Sequence, residues 1–237
     1  MTAATVLVLC GGRGRRLGAR SDHTPKVLAP VNGRPILSRV IDQFAAQGFR
    51  NFVLATGHLS ETVEAFVRSE LSQHSIAVSN AGPDASMLRR LHTARAHLDR
   101  DVIVGYGDTF IDLDYGRLLQ EHVERGRPVT LVTGKIRNPF GVVTVRDDGS
   151  IASFVEKPVH DCYVGCFVLQ RDLLNSLEEE LLEKPDGDGL VALFQRLAAR
   201  GGLHAFSHEG LQLTFNTEEQ LDAASALLRE YFTIREQ

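Results

Sequence analysis

Between Leu9 and Lys26 the chain reads LCGGRGRRLGARSDHTPK, a stretch crowded with glycine and arginine that leaves a short apolar run. Gly11, Gly12 and Gly14 carry no Cβ and can take positive φ, so their backbone N–H groups can converge on phosphate oxygens. Arg13, Arg15 and Arg16 add cationic forks of the kind that hold phosphate. Together these residue types point to a nucleoside triphosphate. The P-loop pattern is excluded, because no Gly-Lys followed by Ser or Thr occurs in the stretch. The dinucleotide fingerprint is excluded as well, since Leu17 stands where its third glycine belongs. The plainer reading is a surface loop that ends a strand, although three arginines set among glycines are unusual for a simple turn.

A second candidate centre is Asp108, which follows the apolar run Asp101 to Gly105 and sits beside Gly107. A carboxylate at the end of a core strand is well placed to hold Mg²⁺, which uses one or two carboxylates and takes its other ligands from water and phosphates. Asp112 and Asp114 form the alternative, a D-x-D pair of the glycosyltransferase kind. They more simply introduce a helix over Tyr115 to Arg125, with Asp114 as its cap. Glu156-Lys157 follows a segment that reads as a β-hairpin, Gly141 to Val145 and Ser150 to Val155; taken alone, the pair is ordinary solvated surface. Cys10, Cys162 and Cys166 are too few for a disulfide framework and have no zinc spacing, so all three are read as thiols.

GGRGRRL followed by TPKVLAPVNGRPIL resembles the signature GGxGxRL…PKxxxPVxGxPxL of the sugar-phosphate nucleotidyltransferases, the nucleotide-sugar pyrophosphorylases. FGVVTVRDDGSIASFVEKP, YGDTFIDLDY and YVGCFVL resemble later motifs of the same family, so the likeness runs from Val6 to about Leu221. The resemblance implies that Leu9, Gly11, Gly12, Gly14 and Arg15 embrace the base and triphosphate, that Arg16 meets the phosphates, and that Lys26 reaches the α-phosphate. It implies Asp108 as a metal ligand, with Asn216 as a neutral second oxygen where relatives carry an aspartate. It further implies that Glu156 binds sugar hydroxyls, that Lys157 binds the sugar 1-phosphate, and that Gly165 lets the sugar ring approach. Arg16, Lys26 and Asp108 would then carry catalysis with Mg²⁺, transferring a nucleotidyl group from GTP or CTP to a hexose or heptose 1-phosphate. Two departures are visible: NAGPDASMLRRLHTA replaces a glycine-rich turn, and Tyr163 and Val164 replace a polar residue. They leave open a cytidylyltransferase for a non-sugar phosphate or phosphonate, or a nucleotide- or sugar-binding subunit without catalysis.

The elements that must position these residues follow from periodicity. Thr5 to Cys10, Asn51 to Thr56, Ser75 to Ser79, Asp101 to Gly105, Pro128 to Lys135 and Leu203 to Ser207 read as strands, and the family resemblance implies a further strand over Tyr163 to Leu169. Helices are expected after Pro35, over Ser60 to Ser69 with Ser60 as cap, after Ser86, over Tyr115 to Arg125, near Arg171 to Glu183, over Asp188 to Arg200, and at the C-terminus behind Asn216 or Thr217. Arg89 and Arg90 read as solvent-facing helix residues or as phosphate ligands, and His58 as a loop histidine near the ligand edge. The alternation argues for a three-layer α/β/α sandwich on a mainly parallel, Rossmann-like sheet. One domain is expected over residues 1–237, with a nucleotide half at 1–110 and a sugar-phosphate half at 111–237. A net charge of −4 carries no basic excess for nucleic acid, and no stretch has the length of a membrane span. A cytoplasmic enzyme is expected, with room for a homo-oligomer.

Overall fold

The computed structural model describes residues 4–14, 23–214, 220, 223 and 225–228. Strand β1 (Thr5–Leu9) is buried along its whole length because its side chains enter two different cores, Val6 and Val8 on one face and Leu7 and Leu9 on the other. Parallel partners flank it: β4 (Asn51–Thr56) on one side, itself beside β5 (Ser75–Asn80), and β6 (Asp101–Tyr106) on the other. Beyond β6 lie β11 (Val159–Gln170), which runs antiparallel, then β8 (Val129–Arg137) and β12 (Leu203–His208). The seven strands stand in the order β12-β8-β11-β6-β1-β4-β5. Short pairs complete the strand set: β2 (Pro30–Val31) with β3 (Arg34–Pro35), β7 (Thr109–Ile111) with β13 (Gln212–Thr214), and the hairpin β9 (Val142–Val145) with β10 (Ile151–Val155).

The helices divide between the faces. Helices α1 (Ile36–Ala46), α2 (Ser60–Glu70) and α4 (Tyr115–Arg125) pack their apolar stripes on the side of Val6 and Val8. On the side of Leu7 and Leu9 lie α3 (Met87–Ala94), α5 (Asp172–Asn175), α6 (Glu179–Leu182) and α7 (Asp188–Ala199). The expected three-layer α/β/α architecture is therefore observed. Ser86 and Asp114 cap α3 and α4, accepting from the N–H groups of Arg89 at 3.1 Å and Arg117 at 2.8 Å.

Three expectations are corrected. Ser60 is the first residue of α2 and does not cap it; Leu59 precedes it in a left-handed conformation, φ 53°. The Ser60 hydroxyl is instead buried against Thr56 Oγ1 at 2.8 Å and donates to Glu64 at 2.9 Å. The helix foreseen near Arg171 to Glu183 is broken into α5 and α6. Glu178 is extended between them, and the Ser176 hydroxyl donates to the Leu173 carbonyl at 2.9 Å, competing with the helical ladder. Arg90 does not face solvent; it is buried beneath the loop that follows β1. The C-terminal helix carries described residues at positions 220, 223 and 225–228, while its expected cap, Asn216 or Thr217, lies outside the described residues.

Far from the strand ends that carry the loops, His122 of α4 is fully buried, with Nδ1 2.8 Å from Thr130 Oγ1 and Nε2 3.7 Å from Asp101. Burial pushes its pKa below the ordinary 6.5, while Asp101 pulls the other way. Because the unfolded chain takes up that proton first, stability is whole above pH 6.5 and drains as pH falls toward the depressed folded value. Thermal melts on either side of pH 6.5 should show this loss in the native protein and a flatter dependence in His122→Gln. An equally steep acid limb in the variant would place the effect elsewhere.

Candidate active site

The register sets Leu9 level with Ala55 of β4 and Tyr106 of β6, so the loops after these three strands emerge at one edge of the sheet. This is the edge where open α/β sheets hold ligands. The loop after β1 is tied to its neighbours by backbone. Cys10 N–H donates to the Ala55 carbonyl at 2.8 Å, His58 N–H to the Gly11 carbonyl at 3.3 Å, and Gly107 N–H to the Leu9 carbonyl at 3.0 Å. Of the three loop glycines, Gly14 alone has positive φ, at 62°. Gly11 is needed for a different reason: a Cβ there would lie 2.2 Å from Arg90 Nε. Gly57 makes room for the same guanidinium and for the Gly82 carbonyl. Arg90 Nε is buried with no hydrogen-bond partner. Burial works against its charge, and Asp186 works in favour of it.

Around this loop opens a cavity of about 820 Å³. Lys26 and Asp108 meet inside it, Lys26 Nζ donating to Asp108 Oδ2. Packing puts them there. Lys26 opens a single 3-10 turn, Lys26–Leu28, and Val27 sits so close to Gly107 that a Cβ on that glycine would be 2.6 Å from Val27 Cγ1. The Thr109 hydroxyl lies 3.3 Å from the other carboxylate oxygen of Asp108. Across the mouth, Arg13 pairs with Asp84 at 2.5 Å, joining the glycine loop to the segment before α3.

The far wall is aromatic. Tyr106 ends β6 and Tyr163 lies in β11, their hydroxyls 3.5 Å apart, and burial raises both pKa values. Gly165 has φ 85°, and a Cβ on it would be 2.8 Å from the Tyr106 ring. The space freed by Gly165 is thus taken by Tyr106, while the residue itself still lines the cavity. Tyr163 continues into the ring cluster of Phe167 and Phe194. Gln212 closes this side, donating to the Val164 carbonyl at 3.3 Å.

Gly12, Gly14, Lys26, Asp108 and Gly165 are therefore brought to one cavity. Leu9 is buried at its edge as a strand residue, and Gly11 forms its floor through Arg90. Glu156 and Lys157 stand elsewhere. Both are exposed beside the β9–β10 hairpin, Lys157 Nζ 3.8 Å from its own neighbour Glu156, and neither lines the cavity. Arg15, Arg16 and Asn216 lie outside the described residues. Sequence reasoning missed Asp84, Tyr106 and Asp186 as cavity residues, and it left Arg90 undecided.

Residues 6–200 match the family model of the MobA-like NTP transferase domain. The glucose-1-phosphate cytidylyltransferase of Salmonella typhimurium is 23% identical over 241 residues, covering 89% of this chain and 90% of that protein. The CMP-5'-(3-aminopropyl)phosphonate synthase of Streptomyces rubellomurinus is 39% identical over 203 residues, 82% of this chain but 31% of that protein. Among solved structures, HddC from Yersinia pseudotuberculosis complexed with GMP-PN superposes with a TM-score of 0.73 at 18% identity, covering 95% of this chain and 99% of that one. The chain belongs to the MobA-like NTP transferase domain family and is a nucleotidyltransferase.

A Gly165→Ala variant would place a side chain at φ 85° against the Tyr106 ring. Strain and overpacking should cost about 1–3 kcal/mol, seen as a lowered melting temperature. An unchanged melt would mean that Tyr106 yields freely.

Proposed function

We propose that this protein transfers a nucleotidyl group from CTP, or GTP, to a sugar 1-phosphate of hexose or heptose size, releasing pyrophosphate. The observation that carries this reading is the meeting of Lys26 with Asp108 at the bottom of the cavity beneath the glycine-arginine loop. In this reading residues 1–110 hold the nucleotide and 111–237 the acceptor, and the enzyme works in the cytoplasm. Both bases stand in this reading because relatives are named as glucose-1-phosphate cytidylyltransferases and as mannose-1-phosphate guanylyltransferases.

Asp108 suits Mg²⁺ by the chemistry of its surroundings. It offers a single carboxylate at a cavity wall, its present counter-charge is the ammonium of Lys26, and Mg²⁺ needs only one or two carboxylates when phosphates and water fill the rest. Among the described residues no cluster of three acidic, histidine or cysteine side chains forms a fuller cage. When bound, the ion would neutralise charge on the phosphates. The triphosphate draws Lys26 away from Asp108 and onto the α-phosphate oxygens. Arg13 and Arg90 supply further positive charge along the chain of phosphates, with Arg16 as a third donor. An acceptor oxygen then attacks the α-phosphorus in line, the bond to the β-phosphate bridging oxygen breaks, and pyrophosphate leaves. No side-chain nucleophile is required, so rate comes from positioning and charge.

A second reading has its own support. Tyr106 and Tyr163 occupy the acceptor wall, Glu156 and Lys157 stand off the cavity, and the 39% identical relative is a phosphonate synthase. These features favour a non-sugar phosphonate or phosphate as acceptor.

Pyrophosphate release should be measured with CTP and GTP against glucose 1-phosphate, mannose 1-phosphate, a heptose 1-phosphate and 3-aminopropylphosphonate, with and without Mg²⁺. Lys26→Ala and Asp108→Asn should each lower kcat/KM by about 100-fold or more. Arg90→Ala should act mainly by raising the KM for the triphosphate. Release with the phosphonate alone selects the second reading, and triphosphate binding without release from any pair overturns both.

A further inference from the structure

A second cavity, of about 330 Å³, opens beside the acceptor wall. It is lined by Gly134, Lys135 and Ile136 of β8, by His208 at the end of β12, by the turn Glu209-Gly210 and by Gln212 of β13. Its walls meet closely at two glycines. A Cβ on Gly134 would lie 3.0 Å from Val164 Cγ1, and one on Gly210 would lie 2.7 Å from His208 Cε1. His208 is packed into the wall, 8% exposed, with Nε2 3.4 Å from the Leu211 carbonyl.

Gln212 lines this cavity and the active one alike, and its amide donates to the Val164 carbonyl at 3.3 Å. Along β13, Gln212 stands level with Ile111, and Thr214 stands level with Thr109, the residue after Asp108. Two residues of strand span roughly 7 Å. An acceptor whose phosphate lies beside Asp108 therefore has room for about one sugar ring before it reaches Gln212. Anything longer passes into the second cavity.

The lining of that cavity mixes donors and acceptors. Lys135 brings ammonium donors, Glu209 a carboxylate that only accepts, and Gln212 an amide that does both. A second anion is disfavoured, because Glu209 stands in the wall and Asp161 already holds Lys135 at 3.1 Å. An apolar group is disfavoured as well, since Ile136 is the one large apolar side chain among the described lining residues. Hydroxyls donate and accept, so they match this set, and a carboxylate can accept from two neighbouring ones.

We infer that the second cavity is a subsite for the far end of the acceptor, taking hydroxyl-bearing carbons that extend past a hexose ring. This subsite rests on the proposed transfer to a sugar 1-phosphate and narrows the acceptor to one longer than a hexose. Its volume, at the lower end of the roughly 300–1,000 Å³ of small-molecule sites, leaves room for a single further sugar unit.

Acceptor binding should be measured by calorimetry on the whole chain, with CTP or GTP present and Mg²⁺ withheld, for glucose 1-phosphate, a heptose 1-phosphate and maltose 1-phosphate. The native protein, Glu209→Ala and Lys135→Met are compared, and pyrophosphate release is followed separately with Mg²⁺. In the native chain at least one longer acceptor should bind about tenfold tighter than glucose 1-phosphate, and each variant should cut that advantage to about twofold or less. Both side chains are exposed, so circular dichroism should match that of the native chain. No advantage for either longer acceptor, an advantage kept in either variant, or no binding of any acceptor would overturn the subsite. Binding with the expected pattern but without pyrophosphate release keeps the subsite and overturns the transfer reading instead.

Discussion

The Lys26–Asp108 pair is the contact on which the rest of the site depends, because it brings together two segments separated by 82 residues inside the cavity that the glycine loop lines. Neither residue gets there through its own helix or strand. Lys26 is carried by a one-turn segment that Val27 pins against Gly107, and Asp108 follows directly from the end of β6. With side chains 14% and 24% exposed, the two charges would be costly to hold apart and unpaired. Each keeps the other in place.

The same logic extends to the mouth and floor of the cavity. Arg13 and Asp84 pair at the mouth with 41% and 82% of their side chains exposed, so the contact is weak and readily exchanged. Arg90 is the reverse case: buried, with an unpartnered Nε, and set where Gly11, Gly57 and Gly82 converge. A buried guanidinium lacking part of its hydrogen bonding is expensive, and an anion in the cavity is the natural relief. The cavity thus holds one weak surface pair, one partly buried pair and one unsatisfied donor, a set of cations that an anionic ligand would serve better than their present partners.

What could be read from the sequence was local. The apolar runs gave the strands, Ser86 and Asp114 announced their helices, Asp108 stood out by residue type and by the strand end it followed, and Lys26 was reached through the likeness to a family motif. Arg90 was undecided because its position on an amphipathic helix is compatible with solvent; only the absence of side chains at two distant glycines shows that it turns inward. Ser60 was misread because a serine before a helix normally caps it, and nothing local shows that Leu59 takes the left-handed conformation at that corner. Glu156 and Lys157 were read into the acceptor site by motif alone. Their position depends on how far β8 and β11 extend past the sheet, a property of pairing across more than twenty residues.

The β9–β10 hairpin shows where alternation stops being informative. Gly141 to Val145 and Ser150 to Val155 were legible as a hairpin, yet valines fall on both faces and no polar side marks the solvent. In a strand with one buried face, register is fixed by the need to hide apolar residues. Here the chain itself hides neither face, and a register shift gathers four of the residues on one of them. The shift concentrates on one face apolar surface that alternation would otherwise divide between two.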